Sequence, residues 1–476
     1  MRRGADLVVV WSLMAASAVL YTIAANMRFW MEPLGDEPHY LVMSVALGKY
    51  HTFDLTQAYA NGDWRAFYAD PLEAHVYPNA EGIMVPLHNF GGPILWTIPF
   101  NLWGRPGAAG VVVLVSVLTV GVIYRLQREL GITPFYAGVV TGLFAAGSPL
   151  YMYASMQFVD PFGALFTAYA VLVLVKAKPA WWQIALASAG LGWMPWVHGR
   201  FLLLTVPLGV LLIARAGRSK TLLAAAAPMV VLVGALELFN FTQYHSWSPA
   251  PGNSALGDGL LQIPPYRGLA GILFDRQYGL ISHFLLLALA IPGMFLAARR
   301  SRHWVLLAAI LPYTIAVSTF RTWWAGYTPP GRLAVVLVPL LAYYVALTLQ
   351  RRPVWLPLVL ATLAAAFGFA YTLTGDSMLL ARFTSSGGYG VDKILSAQGA
   401  RLGVPDLPNW WPSIQTDPGT GQNFWPWYLG YVAFAALMVV WGRLAPVREP
   451  LRSSARWRTP PETRDAERAV PSEPSS

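Results

Sequence analysis

Two adjacent carboxylates, Asp36 and Glu37, follow the first long apolar run of the sequence, within the string GDEPHY. A carboxylate at such a boundary can act as a general base toward a hydroxyl, because partial burial raises its pKa toward the working pH. The position also suits helix capping, since an acid before a helix satisfies free N–H groups and complements the helix dipole. The residues alone leave both roles open for Asp36.

Basic groups that could hold an anion lie near the ends of later apolar runs. Arg200 follows Trp196, and a guanidinium there can grip a phosphate or reach from the interface into water. Arg332 and Arg321 belong to one loop, and we rank Arg332 above Arg321 and Arg200 for phosphate contact. Asp160, which precedes Pro161, is a candidate helix cap.

Three aromatic residues of the Arg321–Arg332 loop could face a sugar. Trp323, Trp324 and Tyr327 can stack on a sugar ring, and they can equally anchor the chain in an aromatic belt at a membrane surface.

The elements that must position these groups are membrane spans. Charged residues make up only 12% of the 476 residues, and apolar residues make up 56%. That charge content is about half of the usual value for soluble domains, which excludes a soluble fold of this length. The net charge of +10 resides in clusters at the ends of apolar runs, so a nucleic-acid partner is not indicated. Because there is no Cys, disulfides and thiolate metal sites are excluded.

The sequence predicts an all-α polytopic membrane protein with about twelve (eleven to thirteen) transmembrane helices. The candidate spans are 7–25, 107–124, 134–150, 155–175, 181–196, 199–214, 221–239, 278–298, 303–320, 332–350, 354–373 and 426–442. The additional run 89–103 has about 15 residues, which is short for a crossing, so we predict a re-entrant or juxtamembrane helix there. A short amphipathic helix beginning near Glu37 is expected to lie along the outer interface.

The basic clusters predict the orientation. If 89–103 does not cross, most Lys and Arg residues fall on one side, which the positive-inside rule assigns to the cytoplasm. We therefore expect a protein of the cytoplasmic (inner) membrane, with both termini inside and the chemistry outside. One transmembrane domain, 1–445, would carry outer loops at 26–106, 240–277 and 374–425. The polar segment 446–476 is predicted to be a disordered cytoplasmic tail.

The stretch GDEPHYLVMSVALGKY resembles the first outer loop of the GT-C superfamily of membrane glycosyltransferases, which includes protein O-mannosyltransferases and lipid A aminoarabinose transferases. The later stretch from His88 through the second span is similar to that family's outer helix and following span. Where aminoarabinose transferases have a basic residue before a Pro-Pro pair, this chain reads Gly91-Gly92-Pro93, with His88 nearby as a substitute.

The resemblance implies the activity and the roles of the residues. A polyprenyl-phosphate-linked sugar would be the donor, and a hydroxyl of a lipid, glycan or protein would be the acceptor, with inversion at the sugar. Asp36 and Glu37 would be catalytic. The resemblance and the loop chemistry together imply that the donor phosphate is bound by Arg332, Arg200, Arg321 and His88, and that the acceptor or sugar is bound by Tyr40, His39, Asp160, Trp323, Trp324 and Tyr327.

Other readings remain open at this point. No phosphate-binding glycine loop, DxD string or HExxH string is found, so neither a nucleotide-sugar donor nor a metal or other cofactor is indicated, although a divalent metal is not excluded. A transporter or lipid-handling protein could use the same outer cavity without chemistry, and an inactive scaffold of the same shape is a third reading. Transporters place ionisable groups near the bilayer midplane, whereas here they crowd the outer boundary.

Overall fold

The computed structural model describes residues 2–29, 32–217, 220–248, 251–252, 261–326, 328–351, 395–396, 399–400, 403–414 and 424–444. The longer helices are Arg2–Arg28, Glu37–Lys49, Gly91–Trp103, Arg105–Glu129, Pro134–Ala146, Asp160–Val175, Trp181–Val197, Leu202–Ala216, Lys220–Tyr244, Pro265–Phe274, Ala290–Ala297, His303–Ser318, Val338–Arg351 and Trp425–Leu444. Short helical turns are Thr56–Ala60, Asp63–Ala66, Leu150–Tyr153, Gly199–Phe201, Leu280–His283, Leu285–Leu289, Arg332–Leu337 and Leu407–Trp410. Two antiparallel strands, Val76–Pro78 and Met84–Pro86, form one hairpin.

Six helices among the described residues are long and apolar enough to cross a membrane: Gly4–Arg28, Arg105–Glu129, Gly199–Ala216, Lys220–Tyr244, Arg332–Arg351 and Trp425–Arg443. Shorter apolar helices occupy other predicted spans, among them Pro134–Ala146, Asp160–Val175 and His303–Ser318. The prediction of an all-α polytopic membrane protein is confirmed. The count of twelve stays a prediction, because the candidate span 354–373 lies outside the described residues, as do Tyr327 and the predicted tail 446–476.

Contacts between helix ends show that the first loop starts and finishes at the same end of the helix bundle. Arg28, at the end of the first helix, donates to the Glu37 carboxylate at 2.8 Å. The other Glu37 oxygen accepts the amide of Gln157 at 2.7 Å, and the side chain of Gln157 accepts a hydrogen bond from Arg105. Because Arg105 begins the next long helix, the segment between the first helix and Arg105 leaves and returns at the same end of the bundle and makes no net crossing. This agrees with the arrangement predicted from charge.

The helix Glu37–Lys49 begins where the sequence predicts but is covered by other parts of the chain. Nine of its 13 residues are buried, so the expectation of an amphipathic helix with one exposed face is wrong, whereas its position along the outer interface stays a prediction. It packs against the helix Gly91–Trp103, and the Trp96 indole donates to the Ser44 hydroxyl at 2.9 Å. The helix Gly91–Trp103 and the rest of the loop cover the side that an amphipathic helix would turn toward solvent.

The predicted span 278–298 is also corrected, because it is broken rather than continuous. Phe284 has extended backbone between the turn Leu280–His283 and the turn Leu285–Leu289, and a regular helix resumes only at Ala290–Ala297. The Phe284 ring packs edge-on against Phe144 at this break.

The contact between the helices Gly91–Trp103 and Arg105–Glu129 predicts an asymmetric response to alanine. A Cβ atom on Gly107 would overlap the Pro99 carbonyl oxygen, whereas a Cβ atom on Gly110 meets nothing within 4 Å. Gly107→Ala should therefore destabilise the protein by about 1–3 kcal/mol through overpacking. Gly110→Ala, one helical turn away, should leave the thermal unfolding midpoint of the purified protein unchanged or slightly raised. Equal midpoints for the two variants would contradict the close approach.

Candidate functional site

A guanidinium held between two carboxylates forms the centre of the site. Arg332 donates from Nη2 to Oδ2 of Asp36 at 2.5 Å and from Nε to Oδ2 of Asp160 at 3.3 Å. Its Nη1 donates to the Ala325 carbonyl, and the guanidinium lies 4.4 Å from the centre of the Phe158 ring. The structure thus brings Asp36, Asp160 and Arg332 into direct contact.

Local backbone geometry places Arg332 at this point. The preceding residue, Gly331, has φ 73°, a left-handed conformation that glycine adopts without steric cost. Its amide donates to the Tyr278 carbonyl, which ties the loop to a neighbouring turn. The backbone therefore turns sharply just before Arg332 and delivers its side chain at the start of the helix.

Asp160 is the buried support of the cluster. Its carboxylate has no solvent exposure and accepts from Arg200 as well as from Arg332. Asp160 is the first residue of the helix Asp160–Val175, and the capping position is taken by Val159. The expectation that Asp160 is a helix cap is therefore wrong, and its oxygens accept from the two arginines instead.

Asp36 is the reachable carboxylate of the pair, since 21% of its side chain is exposed. It occupies the capping position of the helix Glu37–Lys49 but makes no capping hydrogen bond, and Arg332 holds one of its oxygens. Burial alone would raise the pKa of Asp36, but the charge of Arg332, helped by His88, holds that pKa well below its usual range. The expected rise toward working pH is thus overturned by the adjacent cation.

Glu37 is held in contacts that join separate parts of the chain. One oxygen accepts from Arg28 and from the amide of Leu34, each at 2.8 Å, while the other accepts from the amide of Gln157. Its side chain is fully buried and that of Arg28 is 6% exposed. These contacts fix the loop against the ends of two spans, and the predicted catalytic role of Glu37 stays a prediction.

Three histidines border Asp36 on the side away from Asp160. Nε2 of His88 lies 3.9 Å from Oδ1 of Asp36 and 3.3 Å from Nδ1 of His75, whose ring stacks on that of His39 at 3.6 Å. Burial lowers the pKa of His88 to about 4, against the opposing effect of Asp36. Burial and the neighbouring histidines lower the pKa of His39 to about 2. Both imidazoles are therefore neutral near pH 7.

The remaining predicted residues lie at different distances from this centre. Tyr40 is fully buried, and among the described residues its hydroxyl has no hydrogen-bond partner. Trp323 and Trp324 line a small pocket with Arg332, with their rings nearly perpendicular. Arg321 is exposed, and its backbone amide donates to Gln262. The structure thus brings Tyr40 and both tryptophans to the site but leaves Arg321 on the surface.

Sequence reasoning missed three contributors to the site. His75 lies in a polar stretch with no periodicity, and only the pairing of the strands Val76–Pro78 and Met84–Pro86 brings it to His88. Phe158 was hidden because its partner Arg332 is distant in sequence, and no local pattern paired Arg28 with Glu37. The one signal in the sequence for His75 is its position just before a short Pro-containing segment, with His88 just after a second such segment, because pairing of the two segments brings the histidines together.

Fold and charge cluster together define a helical integral membrane protein with a buried ion-pair site at one end of its bundle. No protein-family model and no curated protein matches the chain. Among solved structures it is similar to ArnT from Cupriavidus metallidurans bound to undecaprenyl phosphate, at 14% identity and a TM-score of 0.47, over 91% of this chain and 77% of that one.

The apo state of the same ArnT gives 16% identity, a TM-score of 0.44 and coverage of 91% and 76%. The archaeal oligosaccharyltransferase AglB from Archaeoglobus fulgidus, in complex with an inhibitory peptide and a dolichol-phosphate, gives 13% and 0.43. That match covers 84% of this chain and only 59% of AglB. At these identities and TM-scores the similarity does not bear on the chemistry, which must be argued from the residues.

The buried Arg28–Glu37 pair predicts a large effect of removing one charge. Glu37→Gln would leave Arg28 buried beside a neutral amide, and an NH₂ group would replace one of the two accepting oxygens. The expected loss is about 3–5 kcal/mol of stability, measured as a lower thermal unfolding midpoint. The control Glu73→Gln changes an exposed acid and should leave the midpoint unchanged. A Glu37→Gln protein as stable as wild type would show that this pair does not anchor the loop.

Proposed function

We propose that this chain is a membrane glycosyltransferase that moves a sugar from a polyprenyl-phosphate donor to an acceptor hydroxyl, on the outer face of the cytoplasmic membrane. The observation that carries the proposal is the bridge from Arg332 to both Asp36 and Asp160. It supplies a reachable carboxylate, a buried cation for an anionic leaving group and a second arginine in one place. The sequence resemblance of the first loop to GT-C transferases supports the same activity.

The two carboxylates take different roles because their exposure differs. Asp160 is fully buried between Arg200 and Arg332, so it orients the two guanidinium groups rather than meeting a substrate. Asp36 is partly exposed and has one oxygen, Oδ1, that receives no hydrogen bond from the described residues. An acceptor hydroxyl can therefore approach Asp36.

In the reaction, the acceptor oxygen attacks the anomeric carbon as Asp36 takes the hydroxyl proton. The new bond joins the acceptor oxygen to the sugar, and the bond between the sugar and the phosphate oxygen breaks. The electron pair leaves with polyprenyl phosphate, whose negative charge is stabilised by Arg332 and Arg200. In-line attack of this kind inverts the anomeric centre.

The lowered pKa of Asp36 sets a condition on this mechanism. A carboxylate bound to Arg332 is a weak base, because the cation stabilises its ionised form. A donor phosphate competes with Asp36 for the Arg332 guanidinium, and this competition raises the pKa of Asp36 when the donor binds. The base is thus activated by the substrate on which it acts, and hydroxyl deprotonation is disfavoured in the donor-free enzyme.

The aromatic pocket beside Arg332 is the proposed location of the sugar. Trp323 and Trp324 line the same pocket as Arg332, whose guanidinium would bind the phosphate. Tyr40, whose buried hydroxyl lacks a partner among the described residues, would donate to a sugar or acceptor oxygen.

The first test of the base is Asp36→Asn, which keeps the shape of the side chain and removes its basicity. Membranes containing the protein are given a panel of polyprenyl-phosphate sugars with native acceptors, and release of free polyprenyl phosphate is measured. We expect a loss of about 10²–10⁴-fold in rate, the usual contribution of a general base. Asp70→Asn, which alters an exposed acid of the same loop, is the matched control and should retain full activity.

Each alternative outcome identifies a different error. If the Asp36→Asn protein still releases polyprenyl phosphate in a donor-dependent way, the chain is a transferase but its base is a residue other than Asp36. No release with any donor, from a folded protein, would favour the transporter or scaffold readings. Release by wild type that disappears in Asp36→Asn and persists in Asp70→Asn supports both the activity and the base.

The pKa values predict the acid side of the pH–rate profile. Asp36 ionises below its usual range of about 4, and His88 gains its proton only at about 4. The kcat/KM of sugar transfer should therefore be constant between about pH 8 and about pH 5 and should fall only below about pH 5. An acid limb centred between about pH 6 and 7 would point to a histidine as the base and contradict the assignment to Asp36.

A further inference from the structure

We propose that Asp36, His75 and His88 form a binding site for a zinc-sized divalent cation. The proposal goes beyond glycosyl transfer, and it stands or fails by metal binding whether or not the chain transfers sugars. Nothing in the sequence pattern indicated a metal here, because the two histidines are separated by a hairpin and the acid lies in a different element.

The geometry of the three donor atoms carries the inference. One carboxylate oxygen of Asp36 and one ring nitrogen from each histidine lie within 4.8 Å of one another. Nδ1 of His75 and Nε2 of His88 are 3.3 Å apart. Two nitrogens bound at about 2.0–2.1 Å to a tetrahedral ion are separated by roughly that distance. Asp36 Oδ1 is now 3.9 Å from Nε2 of His88, and a shift of roughly 1 Å toward the two nitrogens would bring it into the same shell.

The hairpin fixes both histidines. His75 directly precedes the strand Val76–Pro78, and its carbonyl accepts the amide of Leu87, so the pairing extends to the residue before His88. At the far end of the hairpin, the Asn79 side chain accepts the amides of Glu81 and Ile83 and donates to the Gln243 carbonyl. The two donors are therefore positioned by paired backbone rather than by a free loop.

Surrounding rings further restrict the site. The His39 ring stacks on His75 at 3.6 Å with an interplanar angle of 12°, and its Nδ1 is paired with the Tyr59 hydroxyl at 2.9 Å. This stack holds the plane of the His75 ring. The restraint resembles the outer-shell support that metal sites use to orient a ligating imidazole.

The donor set selects the class of ion. Two imidazole nitrogens and one carboxylate oxygen suit Zn²⁺, whereas Mg²⁺ and Ca²⁺ prefer oxygen ligands alone. Three protein ligands leave a fourth tetrahedral position for water or a substrate oxygen. The ion would use Oδ1 of Asp36, and Arg332 already uses Oδ2, so both contacts are compatible with one carboxylate.

The test measures metal directly on the full-length protein in detergent. The protein is stripped with a chelator, and Zn²⁺ is then titrated calorimetrically; we expect one ion per chain. Cobalt replacement should give the visible d–d absorption of a tetrahedral site. This spectrum is recorded on wild type, so it tests the geometry independently of whether any variant folds.

Variants locate the site. His75→Ala and His88→Ala should each weaken Zn²⁺ binding by more than about 100-fold, because each removes a direct ligand. His39→Phe keeps a stacked ring and should bind within about tenfold of wild type. His51→Asn alters an exposed histidine outside the cluster and should bind as wild type does. Thermal unfolding of the metal-free forms checks that the variants are folded.

Three results would overturn the proposal. The first is wild type that binds no Zn²⁺ after chelation, and the second is a cobalt spectrum typical of octahedral coordination. The third is unchanged affinity in folded His75→Ala and His88→Ala proteins. Because none of these readouts measures glycosyl transfer, failure of the metal site and failure of the transferase proposal are distinguishable.

Discussion

The buried Arg332 guanidinium is the interaction on which the rest of the site depends. It joins Asp36, from the first loop, to Asp160, at the start of a distant helix, across 296 and 172 residues of sequence respectively. An isolated charge at this depth would be strongly disfavoured, so the fold must deliver both carboxylates together. Three features position these groups. They are the left-handed conformation of Gly331, the buried helix Glu37–Lys49, and the contacts of Glu37 with Arg28 and Gln157.

Differences in burial give different roles to charged residues that look equivalent in the sequence. Asp160 and Arg200 are closed off and hold position, while Asp36 keeps an exposed oxygen beside the histidines. The same carboxylate is thus adjacent to an arginine on one side and to neutral imidazoles on the other. This asymmetry leaves Oδ1 of Asp36 as the oxygen for either proton transfer or metal ligation, because Oδ2 is bound to Arg332.

The fold was largely predictable from sequence because membrane spans are long apolar runs and charge clusters mark their ends. The non-crossing helix Gly91–Trp103 could be assigned on charge alone. The break at Phe284 could not, since residues 278–298 form one nearly continuous apolar run in the sequence. In the site, Asp36, Asp160, Arg200 and Arg332 were identified by type and position, but the pKa direction of Asp36 was predicted wrongly because the arginine partner is 296 residues away. His75 required the strand register.

The pairing of two acids with two arginines also makes the cluster electrically balanced. Asp36 and Asp160 together carry the charge opposite to Arg200 and Arg332, so the field they project into the surrounding space largely cancels. An approaching anion is therefore not drawn in by long-range attraction and gains affinity only after contact, when it displaces a carboxylate from a guanidinium. Recognition at this site is an exchange of partners, and its rate should depend little on the ionic strength of the medium.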